Sequence, residues 1–167
     1  VRTVNLDIPW ASRIRLVFLG DEHVGHRNCQ EGLLGETIGA VMADENAYII
    51  GLGDSIDAIN MQDKRFSPGE LASWVSIGDL VDLARAETQR YAEIVRPAAG
   101  RMLARLEGNH EATLSRVFER DVYGGINEAL GLPRERCLGY DGFVRLRIAD
   151  NASPAYKRRR GNRSWRG

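Results

Sequence analysis

Three short apolar runs constrain this chain most strongly, because each one stops at a glycine followed by acidic, amide or imidazole side chains. Residues 13–19, with Ile14-Arg15-Leu16-Val17-Phe18-Leu19 at their centre, break at Gly20-Asp21. Residues 47–52 end at Gly53-Asp54, and Met102 to Leu106 is followed by Gly108-Asn109-His110. Apolar runs of this length, bounded by turn residues, read as buried strands running into loops. Helical spacing fills the intervals. Leu33, Leu34, Ile38, Val41 and Met42 place a helix over residues 30–43, although Gly32, Gly35 and Gly39 each weaken it by about 1 kcal/mol relative to alanine. Leu80, Leu83, Ala84, Tyr91, Ile94 and Val95 predict a long helix from about Ile77 to Arg96, stopped by Pro97. Residues 111–120 and 122–130 are also helical in pattern. Strands alternating with helices predict an α/β fold with a largely parallel sheet. Residues 137–140 and 143–148 read as two further strands joined by an Asp141-Gly142 hairpin turn.

The polar clusters that close these runs carry the chemistry. Side chains beyond the carboxyl ends of parallel strands gather on one edge of the sheet. That brings together Asp21-Glu22-His23, Asp54-Ser55-Ile56-Asp57 and Asn109-His110-Glu111. Asp21, His23, Asp54 and Asn109 are the candidate ligands. Mixed carboxylate, imidazole and amide donors suit Mn, Fe or Zn. A carboxylate shared by two metals about 3.5–4 Å apart is the arrangement that clamps an in-line phosphoryl displacement. Gly20, Gly53 and Gly108 fall where the chain turns sharply and the backbone approaches the site, positions that favour a residue without Cβ.

Composition narrows the setting. The 167 residues suit one domain, and no apolar stretch is long enough to span a membrane. The N-terminal residues have no signal-peptide pattern, and the two cysteines, Cys29 and Cys137, form neither a disulfide framework nor a zinc cluster, so a cytoplasmic location is expected. Net charge is zero but unevenly spread. Six of the 23 basic residues lie in the last eleven positions, leaving 17 bases against 23 acids over residues 1–156. Residues 1–150 are thus read as the folded domain and 151–167 as a basic, disordered tail, a composition also compatible with nucleic-acid binding by counterion release.

The ordered set DxH, GDxxD and GNHE, each at a strand end, resembles the calcineurin-like metallophosphoesterases over roughly residues 13–150. The resemblance implies a sandwich flanked by helices and two divalent metal ions, with manganese the first expectation and iron or zinc the alternatives. It places Asp21 and His23 on one metal, Asn109 on the other, and Asp54 between them. It makes His110 the general acid that protonates the leaving oxygen and Asp57 the residue that orients it. A His beside a dinuclear centre, with a carboxylate partner, is chemically suited to that task.

The pattern also departs from the family. Members continue with a lone His and a GHxH motif, whereas the three histidines here are His23, His26 and His110. The resemblance therefore implies a chain cut short, carrying the first sheet with its helices, lacking most of the second, and exposing apolar surface. Members that act on phosphoproteins have Arg directly after GDxxD, where this chain has Ala58, and the Asp21-to-Gly25 stretch fits the DxHxG of nuclease-like members. The expected activity is hydrolysis of a phosphodiester or phosphomonoester, with nucleic acid the first substrate to test. The alternative is a catalytically incomplete fragment or a non-enzymatic nucleic-acid-binding relic.

Overall fold

The computed structural model describes residues 1–149; the basic tail assigned to residues 151–167 lies outside the described residues. In chain order the elements are β1 (Arg2–Pro9), β2 (Arg15–Leu19), α1 (Glu31–Ala43), β3 (Ala47–Gly51), α2 (Leu83–Val95), β4 (Met102–Leu106), α3 (Asn109–Phe118), α4 (Val122–Ala129), β5 (Cys137–Gly139) and β6 (Gly142–Ala149). Strands β2-β3-β4-β5 form a four-stranded sheet in that order, with every neighbouring pair parallel. All four strands therefore point their carboxyl ends the same way, as the alternation of strand and helix patterns requires.

One layer of core packs the helices against this sheet. Leu34, Ile38 and Val41 of α1, Tyr91 and Val95 of α2, Leu114 of α3 and Ile126 of α4 meet Ala47 and Ile49 of β3. The glycines of α1 cost little in packing, since a Cβ at Gly32, Gly35 or Gly39 would meet open space. The long helix expected from residue 77 is shorter than its apolar spacing implied. A 3-10 turn at Asp79–Asp82 precedes α2, and Asp82 caps it by accepting from the Arg85 amide at 3.0 Å. An Asp able to satisfy a free helical N–H sets a start that periodicity alone does not show. At the other end Arg96–Arg101 tightens into a 3-10 segment around Pro97.

Two expectations are corrected here. The Asp141-Gly142 turn does not make a hairpin. Strand β5 joins the main sheet beside β4, while β6 pairs in parallel with β1 over eight residues, Arg2 against Gly142 through Pro9 against Ala149. The chain is also not confined to a single sheet, because β1 and β6 form a second one. Val4, Leu6 and Val144 of this pair cover Ala104, Leu106 and Leu138 on the face of the main sheet away from the helices. The period-2 pattern of Val4, Leu6 and Ile8 was the available signal for β1. Its partner lies some 140 residues away, so the pairing itself was not readable locally. Apolar surface is left exposed on β2, where Leu16 and Phe18 are uncovered.

Candidate metal centre

The loops after β2, β3 and β4 converge at the carboxyl edge of the main sheet. The first two continue the sheet's parallel pairing beyond its strands. The amides of Asp21, His23 and Val24 donate to the carbonyls of Gly53, Asp54 and Ser55 at 3.2, 3.1 and 3.0 Å, and the Asp57 amide donates back to Val24 at 3.0 Å. Val24 and Ile56, both fully buried, anchor this extension in the core. The polar residues between them are thereby turned toward a common space.

That space is a cavity of about 290 Å³ whose walls include Asp21, Glu22, His23, His26, Asp57 and His110. Asp21, His23 and Asp54 bring potential ligand atoms within 4.8 Å of one another, and so do His23, Asp57 and His110. His23 belongs to both groups. Its Nε2 lies 3.9 Å from Asp21 Oδ1 and its Nδ1 lies 3.7 Å from Asp57 Oδ1. The His110 ring meets the His23 ring edge-on with centroids 4.5 Å apart. Two imidazoles and three carboxylates in these two groups are a donor set that fits a divalent cation. The His23 Nδ1 is buried with no hydrogen-bond partner among the described residues, a ring nitrogen whose lone pair a cation could take up.

The backbone at these positions is unusual. Asp21, His23, Asp54 and Ala58 have φ of +57°, +48°, +52° and +57°. Left-handed conformations in non-glycine residues cost about 1–3 kcal/mol each and persist where surrounding structure enforces them. Two buried glutamates hold the second of these loops, at Asp54 and at Ala58. Glu111 accepts from the amides of Asp54 and Ser55 at 3.0 and 2.9 Å, and pairs with the guanidinium of Arg105 at 3.2 Å. Arg105, itself fully buried, also donates to Ser55 Oγ at 2.9 Å and Asn127 Oδ1 at 3.3 Å. At the far end of the turn, Glu87 of α2 accepts from the Ala58 amide at 2.9 Å. Close approach of backbone to backbone explains Gly53 (φ +94°), since a Cβ there would lie 2.3 Å from the Gly108 nitrogen.

Each expected site residue now has a place. Asp54 is buried, and its Oδ1 accepts from the His110 amide at 2.8 Å. It thus serves the first turn of α3, whose own N-cap residue, Gly108, has no side chain to offer, and a carboxylate is favoured at that end of a helix. Asn109 opens α3 and is exposed. Asp57, expected to orient His110 through its side chain, contacts His110 Nδ1 through its backbone carbonyl, while its carboxylate faces His23. A carbonyl only accepts, so His110 Nδ1 carries the proton and Nε2 is left for the cavity. His26 is engaged elsewhere. Its Nδ1 accepts from the Asn28 amide at 3.2 Å and its Nε2 lies 3.2 Å from Glu70.

Two carboxyls near the centre are pushed above the usual carboxylate range. Burial pushes Glu22 up to about 7, and both its oxygens are buried without a partner among the described residues. Burial likewise pushes Glu87 up to about 8. Burial also raises the Cys29 thiol to about 11, which leaves it protonated and unreactive. Sequence reasoning missed Glu87 and Arg105. Both carried a signal, a charged residue inside an apolar pattern: Glu87 between Leu83 and Tyr91 on one helix stripe, and Arg105 within the buried strand β4.

No protein-family model, curated protein or solved structure matches the chain. Fold and site together define an α/β protein with parallel sheets and a cluster of histidines and aspartates able to hold a metal ion. Among the described residues no helix is long and apolar enough to cross a membrane.

Proposed function

We propose that this chain is a divalent-metal-dependent phosphoesterase of the calcineurin-like class, with nucleic acid the first substrate to test. The observation that carries the reading is the meeting of all three strand-end motifs in one cavity, with Asp21, His23 and Asp54 in one ligand group and His110 beside it. Asp21, His23, Asp54 and Asn109 would hold the metal, manganese first and iron or zinc otherwise. Bound divalent metal would supply Lewis-acid charge to the phosphoryl oxygens and activate water. Asp54 keeps one oxygen on the His110 amide, so its carboxylate is fixed in place whatever else it binds. His110, steadied through Nδ1 by the Asp57 carbonyl, presents Nε2 to donate a proton to the leaving oxygen.

Hydrolysis of bis-p-nitrophenyl phosphate with Mn²⁺ tests this directly. Activity should be lost in both Asp54→Ala and His110→Ala, and activity that survives both changes overturns the reading. The presence of three histidines, fewer than the family pattern uses, favours a second reading in which the chain binds metal without turnover. Metal binding by calorimetry with no hydrolysis of any ester offered would select it.

A further inference from the structure

The two ligand groups share one imidazole, and its two nitrogens face different ways. Nε2 of His23 is directed at Asp21 and Nδ1 at Asp57, at 3.9 and 3.7 Å. A neutral imidazole has one lone pair available for a metal, on whichever nitrogen lacks the proton. A cation held at Nε2 therefore puts the proton on Nδ1, facing Asp57. A cation held at Nδ1 puts the proton on Nε2, facing Asp21.

We propose that His23, Asp57 and His110 form a second, zinc-selective site that is mutually exclusive with the Asp21-His23-Asp54 site. The donor sets differ in the required direction. Two imidazoles and one carboxylate suit Zn²⁺, while two carboxylates and one imidazole suit a harder ion such as Mn²⁺. One edge of the triad is close to what zinc needs, and all three ligand atoms lie within 4.8 Å of one another. Tetrahedral bonds of about 2.0–2.1 Å place ligand atoms about 3.4 Å apart, against 3.7 Å between His23 Nδ1 and Asp57 Oδ1. His23 Nδ1 is already buried without a partner among the described residues. At His110 the Asp57 carbonyl occupies Nδ1, so the zinc bond is assigned to Nε2, the nitrogen that contact leaves free. Zinc at this site takes the same Nε2 that would otherwise carry a proton to a leaving group, and it removes His23 from the neighbouring site. The two cations thus compete for one ring while using different carboxylates.

The test reads metal binding alone, so it stands or falls separately from the phosphoesterase reading. The full 167-residue chain is titrated with Zn²⁺ and with Mn²⁺ by calorimetry, as wild type and as His110→Gln. Loss of a ligand should weaken Zn²⁺ by about tenfold or more and leave Mn²⁺ affinity within about twofold. Unchanged Zn²⁺ affinity in His110→Gln overturns the proposal. A second measurement uses the wild type and does not depend on the variant's folding. Long-range ¹H–¹⁵N correlations of the His23 ring should show the proton on Nε2 with Zn²⁺ bound and on Nδ1 with Mg²⁺ as the diamagnetic hard ion. The same protonated nitrogen with both ions overturns the proposal, as does a Mn²⁺ affinity indifferent to saturating Zn²⁺.

Discussion

At its start the turn from Gly53 to Ala58 is held by Glu111, and at its finish by Glu87. Both glutamates are fully buried, both come from helices, and both accept from the amide of a residue with positive φ. They differ in what balances their charge. Glu111 is paired with Arg105, and both of its oxygens have partners. Glu87 has one oxygen on Ala58 and the other buried with none among the described residues. A buried carboxylate with a guanidinium against it has its charge balanced, whereas a lone buried carboxyl favours its protonated form. The same task is thus done by an ion-paired carboxylate at one end of the turn and, at the other, by a carboxyl whose titration burial has raised.

The comparison is broken most severely at the Glu111 end. Glu111→Gln should destabilise the fold by about 3–5 kcal/mol, because it leaves Arg105 as an uncompensated buried charge. Urea denaturation measures this, and a loss below about 1 kcal/mol, no larger than an ordinary hydrogen bond, would show that the pair is not what secures the turn. Next in size is Gly53→Ala, expected to cost about 2–4 kcal/mol from left-handed strain together with overpacking. Its Cβ would press on the Gly108 backbone at 2.3 Å. Gly25→Ala is the matched case at the Glu87 end. Its Cβ would meet the buried Glu87 carboxylate at 2.2 Å with the backbone at φ +110°, so denaturation should show a cost of similar size, about 2–4 kcal/mol.

The pH dependence sharpens the contrast. Glu87 ordinarily titrates at 4.5 and is pushed up to about 8 in the fold. Its contribution to stability is complete below 4.5 and drains away as pH rises through about 8, because the unfolded chain releases a proton that the folded chain retains. Glu22 and Glu107, also raised by burial, add slopes of the same sign, so the Glu87 share from about 7 to about 8 is read as the difference between wild type and Glu87→Gln. Wild type should lose stability across that interval, and Glu87→Gln should lessen the loss. An undiminished slope in Glu87→Gln would assign the proton elsewhere. The smallest effect on stability is expected at Asp21, which is exposed and outside the clamp. Asp21→Asn, a residue that tolerates left-handed backbone, should leave the denaturation midpoint unmoved while lowering Mn²⁺ affinity. A shifted midpoint would make Asp21 part of the scaffold.

The strand ends and their polar clusters were legible because each is a local pattern, an apolar run closed by glycine. Their gathering on one edge came from parallel geometry alone. The extent of α2 was less legible, since Asp82 rather than the apolar spacing sets its start. The hairpin expected at Asp141-Gly142 failed because β6 finds a better partner in β1, and a two-residue turn signal carries no information about a competing strand at the other end of the chain. Asp57 shows the same limit within the site. Its position beside His110 was implied by the motif, but that its carbonyl rather than its carboxylate makes the contact depends on the backbone path.

What the sequence determined by itself, then, is an α/β class with parallel strands and five residues that meet: Asp21, His23, Asp54, Asp57 and His110. Short-range patterning sets strands and helices, and parallel strands have one carboxyl edge. What only the tertiary structure decided is how those groups face one another. The left-handed backbone at Asp21, His23 and Asp54, the buried glutamates that hold the turn, and the division of His23 between two ligand groups all arise from contacts between distant segments. Such contacts are fixed by packing and by the need to satisfy buried polar groups, and neither is written in the spacing of residues along the chain.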